Sequence, residues 1–71
     1  MKLYDVPMDT RIRLKAGKYS VPQGQIQVVR DVEINFSHLD GMYSFCTDDD
    51  GNVVHLAGYS EVDVVKQEQP R

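Results

Sequence analysis

Cysteine is almost absent from this chain: Cys46 is the single one in 71 residues. An intramolecular disulfide is therefore excluded, and so is a cysteine-rich structural zinc site. Long apolar runs are missing too. Nothing approaches the roughly 20 apolar residues that a membrane-spanning helix needs. The start, MKLYDVPMDTR, has no apolar stretch of the kind a secretory signal carries. A lone thiol without such a leader suits a reducing, intracellular compartment. The chain is also short, and one of this size buries only about 60% of its unfolded-state surface. Such a core is marginal, and self-association is the stabiliser left open, so a homo-oligomer is expected.

Charge of one sign is scarce in each half. Residues 1–30 hold Lys2, Arg11, Arg13, Lys15, Lys18 and Arg30 against Asp5 and Asp9, a balance of +4 (six minus two). Residues 31–71 hold nine acids against Lys66 and Arg71, a balance of -7 (two minus nine), and the whole chain carries -3. Such asymmetry suits either a nucleic-acid face or a first and last strand whose opposite charges meet across a ladder.

The apolar pattern is that of strands. In TRIRLKA, Ile12, Leu14 and Ala16 alternate with Arg11, Arg13 and Lys15, the period of a half-buried strand. Gly17 to Gln27 has little periodicity and reads as a long polar loop that Tyr19, Val21 and Ile26 pin to the rest. Val32, Ile34 and Phe36 alternate with polar residues in a second strand, begun as early as Val28. Asp40-Gly41 marks a tight turn, and Met42 to Thr47 form the third strand. DDDGN, residues 48–52, is a second hairpin turn, before a fourth strand from Val53 to Ala57. Gly58-Tyr59-Ser60 is a short break, expected as a 3₁₀ turn, and Glu61 to Val65 close the set. Residues 66–71 form a polar tail, and residues 1–71 make one domain, with its barrel over 10–65.

Strand, long loop, three meandering strands, a one-turn break and a closing strand is the order of SH3-like and Sm-like barrels. Leu39-Asp40-Gly41-Met42-Tyr43 sits where Sm-like proteins carry an aromatic-Asp-x-x-Met-Asn motif. Leu56-Ala57-Gly58 sits where they carry Ile-Arg-Gly. On those residues the chain resembles the Sm-like family, with Tyr43 in place of the base-binding asparagine and Ala57 in place of the arginine. It also resembles small proteins of tailed phages, cyanophages in particular. The resemblance implies an all-β, five-stranded SH3-like or Sm-like barrel, a host-cell cytoplasmic location and a ring, with no established activity. In Sm-like rings the fourth strand of one subunit pairs with the fifth of the next. That would put Val54, Leu56, Val62 and Val64 at an oligomer interface.

No catalytic or metal constellation stands beside this pattern. His38, Cys46 and His55 lie eight and nine residues apart, without the paired local spacing of a zinc site. Asp48, Asp49, Asp50 and Gly51 resemble part of a calcium loop, but Cys46 and Ala57 fall where its first and last oxygen ligands belong. A hairpin turn is expected there, with no metal and no cofactor. A non-catalytic, self-associating interaction module is the leading expectation. The alternative is an RNA or single-stranded nucleic-acid binder, using Arg11, Arg13 and Lys15 as a basic stripe with Asp40, Met42, Tyr43, Gly58 and Tyr59. In that case Tyr43, Phe45 and Tyr59 would stack on bases.

Overall fold

The alternation of Arg11, Arg13 and their neighbours becomes an interior strand of the larger sheet. The computed structural model describes residues 1–65, so the expected polar tail at 66–71 lies outside the described residues. Strand β1 (Thr10–Leu14) buries Ile12 and Leu14, and it pairs antiparallel on both sides. Its neighbours are β4 (Val32–Asp40) and β7 (Asp63–Val64), with β5 (Tyr43–Thr47) and β6 (Val53–Val54) beyond β4. The resulting sheet has five antiparallel strands in the order β6-β5-β4-β1-β7. Its inner face is the core: Leu3, Ile12, Leu14, Ile34, Phe36, Cys46, Leu56 and Val62 among others.

Residues 17–27 are a correction to the sequence reading. They form a second, two-stranded sheet, β2 (Gly17–Val21) and β3 (Gly24–Val28), joined by Pro22-Gln23. Tyr19, Val21, Ile26 and Val28 lie on one face of this hairpin and pack against the core. Val28 accordingly ends β3 and does not begin β4. The hairpin joins the larger sheet where the Ala57 N–H donates to Ser20 O at 3.0 Å. Ala16 has left β1, and its N–H donates to Asp31 Oδ1.

β4 is nine residues long and does not run straight. A register shift between Phe36 and His38 leaves Ser37 as a bulge, which accepts the Asp9 N–H at 2.9 Å. Bulges bend a strand and strengthen its twist, so β4 turns from pairing with β1 to pairing with β5. The Asp40-Gly41 turn then reverses the chain, with Gly41 at φ 68°, a region that costs other residues energy. In the second hairpin, Asp48 Oδ1 accepts the N–H groups of Asp50 and Asn52, so the first of the three aspartates caps its own turn. The break at 58–60 is a turn in which the Ser60 N–H donates to Ala57 O.

The lead-in is a 3₁₀ turn, Leu3–Asp5, with Leu3 fully buried. Its backbone covers the outer edge of the closing segment. The N–H of Val62 donates to Met1 O, and that of Leu3 donates to Ser60 O. The N–H of Val65, three residues on and so on the opposite side of the strand, donates to Arg11 O.

Candidate functional site

Two loops that the sequence singled out meet at Gly58. Its N–H donates to Met42 O at 2.9 Å, and its carbonyl accepts the Tyr4 N–H at 2.9 Å. Leu39 Cδ2 lies 3.4 Å from where a Cβ on Gly58 would stand. The Asp40–Tyr43 turn and Gly58-Tyr59 are thus brought together, and Tyr43 forms a bridge with Ala57. Around this point four apolar residues stay exposed: Met42 at 77%, Tyr59 at 60%, Tyr4 at 55% and Leu39 at 38%. Scattered exposed apolar side chains are ordinary; these four belong to segments that meet at one point. The Tyr59 hydroxyl donates to Ser20 Oγ at 3.2 Å, which holds that ring toward β2. The sequence did not point to Tyr4, because it lies 54 positions before Gly58.

The basic stripe is elsewhere and is largely spent. Arg11 grips Asp49 with two hydrogen bonds, Nη1 to Oδ1 at 2.7 Å and Nη2 to Oδ2 at 3.1 Å, and also reaches Glu33 and Asn35. Arg13 donates to Glu33 Oε2 at 3.0 Å, and Lys15 lies 3.8 Å from Asp63. Opposite charges therefore do meet across the β1–β4 and β1–β7 ladders. The Arg11 guanidinium lowers the Asp49 carboxyl below its usual range, and Arg13, then Arg11, lower Glu33. Pairing runs Thr10 with Phe36 and Leu14 with Val32, so Lys15 stands at the far end of β4 from Asp40.

Of the residues expected at a subunit interface, Leu56 and Val62 are fully buried in this chain's own core. Val54 is half-buried beneath the hairpin, and Val64 is exposed. The strand edges beside them are partly occupied, by Met1–Leu3 along Ser60–Val62 and by Ser20 at Ala57.

Cys46 is wholly buried, and burial pushes its thiol pKa up, away from the reactive thiolate. Among the described residues no three His, Cys, Asp or Glu side chains gather as a metal-holding group. His38 and His55 instead flank Phe45 on the outer face. His38 stacks on Phe45 at 5.5 Å and 8°, and His55 meets it edge-on at 5.5 Å. Strict alternation from Phe36 would turn His38 inward, so only the bulge at Ser37 makes this row possible.

Comparison with known proteins finds no matching family model, no matching curated protein and no matching solved structure.

Proposed function

We propose that this protein is a non-catalytic, self-associating interaction module, a small SH3-like or Sm-like barrel acting in the cytoplasm of a phage-infected cell. The strand order β6-β5-β4-β1-β7, with a hairpin after β1 and a one-turn break before β7, supports the barrel reading. The observation that carries the function is the gathering of Tyr4, Leu39, Met42 and Tyr59 at Gly58. Its neighbours along the chain, Lys2, Asp5, Asp40 and Glu61, carry both signs. No single-sign field selects a highly charged partner, and a second copy presents the same mixed rim. With the edges beside Leu56 and Val62 partly covered, this surface is a better candidate for self-association than those strands. Mass in solution, by size exclusion with light scattering, tests it. A discrete multiple of the 8.1 kDa chain that collapses to the monomer in Met42→Lys supports the reading. A wild-type monomer at high concentration removes it.

The second reading is a single-stranded nucleic-acid binder at the same place. It is favoured by the junction of the Asp40–Tyr43 turn with Gly58-Tyr59 and by the exposed Tyr59 ring. It is opposed by the pairing of Arg11 and Arg13 with Asp49 and Glu33, since phosphate contacts dominate such affinity. Retained absorbance at 260 nm, and affinity for single-stranded RNA that falls steeply with salt, would decide for it.

A further inference from the structure

The outer edge of β3 and the groove beneath it belong to neither reading above. Hydrogen-bond parity fixes which backbone groups face outward. Ser20 O reaches away from β3 to Ala57, and Ser20 is paired with Gln25 and Lys18 with Gln27. In an antiparallel pair both members of such a couple point away from each other. The N–H and C=O groups of Gln25 and Gln27 therefore face off the free side of β3, where no strand pairs with them among the described residues. β3, GQIQV, has no proline and no charge, the devices that usually blunt an edge.

Beside that edge runs an open groove of about 520 Å³. Its floor includes Leu14, Ile26, Val28, Ile34 and Val54, and its walls include five acids, Asp31, Glu33, Asp48, Asp49 and Asp50, against Arg11 and Arg30. Arg11 is already committed to Asp49 and Glu33, so the wall keeps a negative excess. Asp50 is exposed, and its carboxylate makes no ion pair within the described residues.

We propose that β3 and this groove receive an extended segment of a partner protein, added as a strand, whose inward-facing residues alternate aliphatic with lysine or arginine. The partner's backbone takes the free groups of Gln25 and Gln27. Its aliphatic side chains cover Ile26 and Val54, and the long basic side chains lay their methylenes on the same floor while their heads reach Asp50. Charge complementarity selects against acidic segments.

The test is an amide NMR titration of the full chain with a blocked heptapeptide in which threonine alternates with lysine, valine and lysine. A control peptide carries glutamate in place of lysine. The expected result is saturable movement of the Gln25 and Gln27 amides with the basic peptide, and little with the acidic one. Gln27→Pro should abolish it without disturbing the hairpin, because that N–H is not used within the fold. Asp50→Lys should weaken it about tenfold, and this second variant lies outside the hairpin. Equal response to both peptides, or movement at Met42 and Tyr59 only, overturns the proposal. So does concentration-dependent movement of Gln25 and Gln27 in the free protein, which assigns the edge to a second copy. None of these results depends on whether the Gly58 surface self-associates.

Discussion

Ser44 occupies a fully enclosed position on β5 while its neighbour Phe45 faces outward. The inversion has a local cause. Ser44 Oγ donates to Leu56 O at 2.9 Å and accepts the Leu56 N–H at 3.1 Å, linking β5 to the segment that follows β6. Ser44→Ala leaves that N–H buried without a partner, at a cost of about 1–3 kcal/mol. Urea unfolding should show the midpoint falling with an unchanged slope; a variant as stable as the parent would show that the hydroxyl is dispensable. Phe36 is the largest of the fully buried side chains, and Phe36→Ala should cost about 3–5 kcal/mol by the same measurement. Leu3 belongs to the same core, so the lead-in is held by burial as well as by its hydrogen bonds to the closing segment.

The hairpin β2–β3 allows a sharper contrast within one element. Ile26 is paired with Tyr19, and its N–H points to β2, whereas that of Gln27 points away. Ile26→Pro should therefore break the hairpin, at about 3 kcal/mol or more, while Gln27→Pro changes stability little. A larger loss from Gln27→Pro than from Ile26→Pro, in thermal unfolding followed by circular dichroism, would mean the edge assignment is inverted. Much of the remaining architecture was readable in advance. Ile12 and Leu14 alternate cleanly with arginines, and Asp40-Gly41 and DDDGN announce their turns in dipeptide chemistry. The hairpin was hidden because Gly17, Pro22 and Gly24 resemble loop punctuation, and because Tyr19-x-Val21 and Ile26-x-Val28 are each too short to establish a period. The junction at Gly58 was half legible. Asp40–Tyr43 and Gly58-Tyr59 stood out, but nothing local in Lys2 to Val6 shows that Tyr4 joins them or that Met1–Leu3 covers an edge.

Between elements, ion pairs link what the ladders do not. Arg11 ties β1 to β4 through Glu33 and to the β5–β6 turn through Asp49. Both carboxyls are held below their usual range, so their contribution is present above the unfolded-state values near pH 4 and is lost as pH falls through the lower folded-state values. Stability should thus be level from about pH 5 to 7 and decline below about 4. In Arg11→Met the Asp49 titration, followed by carboxyl carbon NMR, should move up toward the ordinary aspartate value. An unmoved Asp49 would mean the pair is absent in solution.

At the scale of the whole molecule, the two surfaces proposed for partners differ in chemistry. The Gly58 surface is apolar with a mixed rim and needs no unpaired backbone. The β3 edge is polar backbone beside an acid-walled groove, and both stand on one body with a radius of gyration of 11.6 Å, close to the roughly 11 Å of a packed chain this long. Salt separates them. Self-association through Tyr4, Leu39, Met42 and Tyr59 should persist or strengthen from low to high salt, because burial of apolar area is insensitive to screening. Binding of a basic strand at β3 should weaken over the same range as the Debye length shrinks from about 10 Å at 0.1 M to about 3 Å at 1 M. The two surfaces can therefore be read in one sample. Light scattering of the wild-type chain with and without basic peptide, at both salt concentrations, should show a mass that salt does not reduce and a peptide response that it does. A mass that drops to the monomer as salt rises would move self-association from the apolar surface to the charged one.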